Sequence, residues 1–230
     1  KSPEISAPRQ DVLYRTLTHR RMVTAILLAA GESRRMGRQN KLLLPIGNSP
    51  MVRHVAEHVL GSDTREVIVV CGYQEAAIRS ALAGLEVAYA QNPDYARGLA
   101  SSVQVGIRAA SPAATGYMVC LGDLPGLEVE DYNRIMSAFE MALSQDTCAI
   151  VRPAYAGTPG HPVVISVALR RDILSLPGRP KGRSVIQCHS NHLQQIPWNH
   201  AAVIRDVDTP EGYLQATGAR PCGQQEPRSS

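Results

Sequence analysis

From residue 23 onward, apolar and polar positions fall into repeating blocks. Val23 to Ala29 is a short apolar run, with Thr24 its one polar residue, closed by Gly31, the pattern of a strand buried on both faces. A polar, glycine-bearing loop follows. Ser49-Pro50 then reads as an N-cap with Pro at the first helical position, opening a helix to about Leu60. Glu66 to Cys71 predicts the next strand, Gln74 to Leu82 a helix and Leu85 to Ala90 a strand. Ser101 and Gln104 offer a capping box for a helix reaching Ala110. Tyr117 to Leu121 reads as a strand, Val129 to Leu143 as a long helix and Thr147 to Val151 as a strand. Beyond Arg152 the spacing loosens. His161 to Ile165 and Val203 to Val207 still read as strands, and Thr209-Pro210 caps a last helix.

Strand, loop and helix thus succeed one another four times, which predicts an α/β fold of three layers. A mostly parallel sheet carries helices on both faces. Ligands of such sheets sit at the carboxyl ends of the strands. The polar stretches that follow strands, at 30–41, 72–74, 91–102, 122–126 and 206–209, are therefore where chemistry is expected. Residues 1–21 are polar, basic and without a period, and read as an N-terminal extension ahead of a domain at 22–215. Residues 216–230 read as a polar tail. Deleting residues 1–21 is expected to leave activity and melting temperature unaltered.

Charge narrows the function classes. The formal charge is +4, but residues 1–21 hold five basic and two acidic side chains, and residues 216–230 hold two and one. That leaves seventeen of each sign between them, so the body is neutral and a broad basic face for nucleic acid is not expected. One Trp and one Phe leave little for base stacking along a strand. No apolar run approaches the ~20 residues of a membrane span. The five widely spaced cysteines, with no C-x-x-C, suit reduced thiols in a cytoplasmic protein.

The first loop, L-L-A-A-G-E-S-R-R-M-G-R-Q-N-K from Leu27 to Lys41, has two glycines six apart, three arginines and a lysine. Exposed backbone N–H groups and fixed positive charge suit a polyphosphate. A solvated basic turn is the plainer reading. The loop is neither G-x-x-x-x-G-K-[ST] nor G-x-G-x-x-G.

The stretch from Leu28 to Gly37, with Lys41 four residues on, resembles the signature loop of the nucleotidyltransferases that act on sugar phosphates, methylerythritol phosphate and molybdopterin. Four further stretches fall in the matching order: N-P-D-Y-A-R-G-L-A-S-S-V from Asn92, G-D-L-P from Gly122, G-H-P-V-V from Gly160 and D-V-D-T-P from Asp206. Within that superfamily the chain is most similar to the molybdenum cofactor cytidylyltransferase group, over roughly residues 23–215. The resemblance implies a Rossmann-like nucleotidyltransferase fold. It also implies transfer of CMP from CTP to the terminal phosphate of molybdopterin cofactor, with release of pyrophosphate and with Mg²⁺ as cofactor. An anion must then approach an anion, so catalysis rests on positioning and electrostatics.

The same resemblance implies roles. Ala29, Ala30, Gly31 and Gly37 would open the first loop to the nucleotide. Arg35 would neutralise the departing pyrophosphate and Lys41 would steady the α-phosphate; Arg34 and Arg38 match no role and read as exposed. Asp123 would hold the metal, against the plainer reading of an aspartate capping the turn before Pro125. Asp208 would add a second metal contact or simply precede the Thr209 cap, with Asp206 as the fallback. Gly98 and Ser101 would face the base. His161 would meet the acceptor, or merely mark a tight strand entrance. Ala30 favours CTP over GTP, because the cytidylyl branch tends to carry L-A-A-G and the guanylyl branch L-A-G-G.

Three other groups carry weaker chemistry. Arg179, Lys181 and Arg183 form a basic loop that could hold the acceptor's phosphate, with an ordinary solvated loop as the plainer reading. His54 and His58, at i and i+4, lack the Glu and third ligand of a zinc site. Cys188-His189 with His192 reads as polar residues at a helix end. Alternatives of other kinds stay open: a guanylyl- or other nucleotidyltransferase for a different phosphorylated acceptor, a non-catalytic protein that delivers the mature cofactor to a molybdoenzyme or its chaperone, and an oxidoreductase on this fold. The presence of Asp123 and Lys41 speaks against delivery. The missing dinucleotide fingerprint speaks against redox chemistry.

Overall fold

A computed structural model of the chain describes residues 22–37, 39–176 and 185–218. Arg38 and the loop with Arg179, Lys181 and Arg183 lie outside the described residues, as do the expected extension and most of the tail. Strand β1 (Val23–Ala29) is buried along its whole length, as its apolar run requires, and its one polar residue, Thr24, donates its hydroxyl to Glu66 at 3.1 Å. Its side chains alternate between two cores. Ala25, Leu27 and Ala29 enter one; Ile26 and Leu28 enter the other.

Two short strands, β2 (Pro45–Ile46) and β3 (Ser49–Pro50), then pair antiparallel. This corrects the expected Ser49 cap. Helix α1 (Met51–Gly61) starts one residue later, and the Met51 N–H is satisfied by the Leu44 carbonyl at 2.8 Å. Next come β4 (Glu66–Cys71), α2 (Glu75–Ala81) and β5 (Ala88–Gln91). Strand β5 begins later than expected because the Leu85 N–H closes the preceding turn on Leu82. Helix α3 (Leu99–Ala109) opens at Gly98, not at Ser101. The expected capping box is absent: Gln104 lies inside the helix, and its amide donates to the Ile173 and Leu176 carbonyls.

Strand β6 (Gly116–Leu121) leads to α4 (Val129–Gln145) and β7 (Ile150–Tyr155). Residues 147–149, expected in β7, form a turn in which Asp146 accepts from the Cys148 N–H at 2.9 Å. A tight hairpin through Ala156 and Gly157, both at positive φ, returns as β8 (Thr158–Pro159). The chain continues through β9 (Val163–Ser166), α5 (Arg170–Ser175), α6 (Val185–Cys188), β10 (Leu193–Pro197) and α7 (Pro210–Thr217). Thr209 caps α7 as expected, accepting from the Gly212 N–H at 3.1 Å. Val203–Val207 is not a strand. Its backbone groups go elsewhere: the Val203 carbonyl accepts from the His161 N–H, and the Val207 N–H donates to the Asp123 carbonyl.

The sheet runs β10-β7-β9-β6-β1-β4-β5 and is parallel except at β9 and the short β8. Helices α1 and α4 pack on one face through Met51, Val55, Val59, Tyr132, Met136 and Phe139. Helices α3 and α5 pack on the other through Ile107 and Ile173. The three-layer reading therefore holds.

One close approach tests this packing. A Cβ added at Gly106 of α3 would lie 2.3 Å from Ile26 Cγ2 and 3.1 Å from Val70 Cγ2, both in the core. Helix propensity favours Gly106→Ala by ~1 kcal/mol, whereas overpacking costs ~1–3 kcal/mol. At 2.3 Å the clash dominates. Thermal unfolding of Gly106→Ala is expected to drop by roughly 3–6 °C; an equal or higher midpoint would show that this helix is not held at contact distance.

Candidate functional site

The loop after β1 folds around one apolar plug. Met36 is buried, Ser33 takes the left-handed conformation, and the Lys41 N–H donates to Ser33 Oγ at 3.1 Å. Asn40 then caps a single 3₁₀ turn, accepting from the Leu42 N–H at 3.1 Å, while Leu42 and Leu44 enter the core. These contacts fix where the Lys41 side chain begins. Across the sheet edge, the Gly122 N–H donates to the Leu28 carbonyl at 3.1 Å. A Cβ at Gly122 would lie 3.0 Å from that oxygen, so glycine lets β6 end against β1 and places Asp123 at the rim. The Val207 N–H donates to the Asp123 carbonyl at 2.9 Å, bringing Asp206 and Asp208 to the same rim.

The side chains then converge. The Lys41 ammonium donates to both Asp123 and Asp208, and Arg35 pairs with the other carboxylate oxygen of Asp208. Lys41 is 12% exposed and Asp123 18%, so solvent screens this pairing only partly. Burial alone would depress the Lys41 pKa, but the charge of Asp123 and the two carboxylate hydrogen bonds outweigh it and raise it. Burial likewise opposes ionisation of Asp208, yet Lys41 and Arg35 hold its carboxyl below the usual range. Asp206, more exposed, is pushed up by burial and by its carboxylate neighbours Asp208 and Asp123. Oxygen atoms of Asp123, Asp206 and Asp208 lie within 4.8 Å of one another. Three carboxylates at that spacing suit a hard divalent cation. The donor set therefore fits a divalent cation, and Lys41 bonds two of the three carboxylates.

Beside this cluster lies a cavity of about 390 Å³, within the usual range for a small-molecule site. Ala30, Gly31, Ser33, Arg34 and Arg35 form one wall, and Tyr95, Gly98, Leu99 and Ser102 the other. Lys41, Asp123 and Asp208 close one end. The expected Ala30, Gly31, Arg35, Lys41, Gly98, Asp123 and Asp208 thus meet in one place.

Four expected residues stand apart from the cavity lining. Ala29 is wholly buried in the core, opposite Cys71 in the sheet. Gly37 ends the 3₁₀ turn at positive φ, on the solvent side of the loop. The Ser101 hydroxyl is engaged locally, with the Gly98 carbonyl at 2.8 Å and the Asn92 amide at 2.9 Å; its neighbour Ser102 lines the cavity instead. His161 sits on the next strand connection, with its N–H on the Val203 carbonyl at 2.8 Å. Tyr95, Leu99, Ser102 and Asp206 were not singled out as first choices. Tyr95, Leu99 and Ser102 fall inside the Asn92–Val103 stretch, which points to the segment without saying which side chains turn inward.

The histidine pairs have structural partners. His54 Nε2 meets the Pro125 carbonyl at 3.1 Å and His58 Nδ1 the Leu127 carbonyl at 2.8 Å, so both brace the loop after Asp123. His189 pairs with Asp172 and His192 with Asp146, on different elements. The Cys71 thiol is pushed up to about 11 by burial, and that of Cys120 higher still. Neither is a ready nucleophile at neutral pH.

Residues 25–196 match the MobA-like NTP transferase domain. The chain is 29% identical over 197 residues to the molybdenum cofactor cytidylyltransferase of Escherichia coli (strain K12), covering 84% of this chain and 95% of that protein. It is 32% identical over 204 residues to the nicotine blue oxidoreductase of Paenarthrobacter nicotinovorans, covering 82% and 93%. It is 34% identical over 198 residues to a probable molybdenum cofactor guanylyltransferase of Mycobacterium ulcerans (strain Agy99), covering 81% and 89%. Among solved structures, Rv0371c from Mycobacterium tuberculosis H37Rv shares the fold, with a TM-score of 0.73 at 24% identity over 87% of this chain and 100% of that one.

Burial, followed by the charge of Arg152, lowers the His161 pKa from 6.5 to about 4. Between those values the unfolded chain binds a proton that the folded chain refuses. Stability is therefore fully present above pH 6.5 and declines as pH falls toward 4. From pH 7 to pH 5 the loss is about 2 kcal/mol. Urea unfolding should show His161→Asn losing correspondingly less than wild type over that interval; equal losses would assign the acid sensitivity to another group.

Proposed function

The chain belongs to the MobA-like NTP transferase family, and on that footing we propose that it transfers CMP from CTP to the terminal phosphate of a molybdopterin-type acceptor, releasing pyrophosphate. The observation that carries this reading is the convergence of Arg35 and Lys41 with Asp123, Asp206 and Asp208 at one end of the cavity. A triphosphate brings several negative charges, and only a site that supplies both cations and metal-binding carboxylates can hold it next to a second anion.

The roles follow from position. The backbone at Gly31 and Ser33, with Arg35, receives the β- and γ-phosphates. Lys41 exchanges its carboxylate partners for the α-phosphate, where charge grows as the new bond forms. Asp123 and Asp208, with Asp206 beside them, would hold Mg²⁺, which when bound draws charge from the phosphate oxygens. Tyr95, Gly98, Leu99 and Ser102 enclose the base. The acceptor enters from the side of His161.

The preference for CTP rests on Ala30. This residue lines the cavity, and its methyl group points toward Gly72, where an added Cβ would lie 2.9 Å away. Glycine at position 30 would enlarge that corner for a larger base. The relation to a guanylyltransferase supports GTP as the second candidate at the same site. The oxidoreductase relative supports a redox reading only by likeness, and the two buried thiols offer it no chemistry.

The test incubates the protein with Mg²⁺, CTP or GTP and a panel of phosphorylated acceptors that includes molybdopterin cofactor, and measures pyrophosphate. CTP turnover should exceed GTP turnover. Asp123→Ala should lower turnover about a thousandfold while the fold persists. Lys41→Ala should weaken triphosphate binding roughly 10- to 100-fold. Wild-type turnover by Asp123→Ala, or unchanged affinity in Lys41→Ala, would remove that residue from the mechanism.

A further inference from the structure

Arg152, on β7, is half-buried and short of partners. One guanidinium Nη donates to the Gly160 carbonyl at 3.2 Å, and the buried Nε has no hydrogen-bond acceptor. Among the described residues no carboxylate lies within ion-pair distance of it. Burial depresses its pKa, which records the cost of a charge removed from water without a counter-ion. His161 next to it has a buried Nδ1 that is also without a partner.

The backbone that carries this pair is fixed. The Gly160 N–H donates to the Pro153 carbonyl and the His161 N–H to the Val203 carbonyl, each at 2.8 Å. A Cβ at Gly160 would lie 2.4 Å from the Val203 carbonyl oxygen, so only glycine lets the turn close there. The position is equally defined. Val163 pairs with Val119 in the antiparallel β9–β6 ladder, and Leu121, two residues past Val119, lines the nucleotide cavity. His161, two residues before Val163, lies at that same rim. The charges of Arg152 and Asp123 both reach it.

We propose that Arg152 and His161 form a second anion subsite beside the nucleotide cavity, which takes the phosphate monoester of the acceptor. The subsite deepens the transferase reading and rests on it for the identity of its ligand. A guanidinium offers only donors, so Arg152 selects an anion over a metal ion; the neutral His161 ring has its one N–H on the Val119 carbonyl and adds no charge beside it. Placed beyond Leu121 from the triphosphate groups, it holds the attacking phosphate close to the reacting phosphorus while keeping its charge apart from that of the nucleotide. Arg152 supplies both the counter-charge and the donors, and the uncharged His161 ring lies beside it.

The experiment fills the first site and probes the second. ¹⁵N-labelled protein is saturated with Mg²⁺ and a non-hydrolysable CTP analogue, then titrated with methyl phosphate, with acetate as control anion. The His161 ring resonances should shift saturably with methyl phosphate and not with acetate. Arg152→Met should weaken methyl phosphate binding at least tenfold and leave affinity for the CTP analogue within twofold. Arg152→Lys, which keeps the charge but not the fork, should fall between, and it carries the comparison if Arg152→Met fails to fold. Unmoved His161 resonances in wild type, or equal methyl phosphate binding by wild type and the Arg152 variants, would overturn the subsite. Saturable binding with no transfer to any acceptor would uphold the subsite and overturn the transferase reading. Transfer with an acceptor KM unchanged in Arg152→Met would do the reverse.

Discussion

Asp123, Asp206 and Asp208 come from two segments that the fold ties together through a single backbone hydrogen bond, from the Val207 N–H to the Asp123 carbonyl. Left to themselves, three carboxylates within 4.8 Å would repel and protonate. Lys41 prevents this by bonding two of them at once, and Arg35 takes the remaining oxygen of Asp208. The loop after β1 is built to deliver that ammonium, with Met36 as its plug and Asn40 and Ser33 as its internal ties. In this arrangement two cations offset the charge of the two carboxylates they bond, Asp123 and Asp208. In the proposed reaction the same charges would serve a metal–triphosphate, with one set of ion pairs exchanged for another rather than charges being created.

The sheet decides where that exchange occurs. Strands β1, β4 and β6 run parallel and end along one rim, and glycines at 72 and 122 let neighbouring loops approach there at contact distance. Antiparallel β9 breaks the parallel order beside β6 and brings the Gly160–His161 turn to the rim from the opposite direction. The rim beside the cavity thus carries strand ends and, next to β6, one strand beginning. In the proposed transfer, that asymmetry would give the two substrates separate approaches to one phosphorus. His54 and His58 add a brace from α1, holding the Pro125 and Leu127 carbonyls so that the loop after Asp123 keeps its course.

Much of this was legible in the residues alone. The bounds of β1 and β4 followed from their apolar runs, because a strand buried on both faces carries few polar positions to blur its ends; the two present, Thr24 and Glu66, bond each other. The α7 cap followed from Thr209-Pro210, whose chemistry is local. Ser49-Pro50 and Ser101–Gln104 carried equally good local signals and were overruled. The first was drawn into a strand ladder, and the second was displaced one turn upstream by Gly98. Their backbone groups found better partners through contacts that no short window contains.

The sequence by itself determined the fold class, the cation-rich loop and the carboxylate at the end of β6, since each depends on neighbours a few residues apart. Only the tertiary structure decided which of these groups meet. Lys41 and Asp208 are 167 residues apart in the chain, and their pairing depends on where β1 and β6 end relative to each other. It also decided that Ser102 rather than Ser101 faces the cavity, because a helix turns about 100° per residue and its starting point sets the phase. That Arg152 has no counter-charge among the described residues became visible only there as well. Whether a charged side chain has a partner is a property of distances in space, and adjacency along a chain does not specify them.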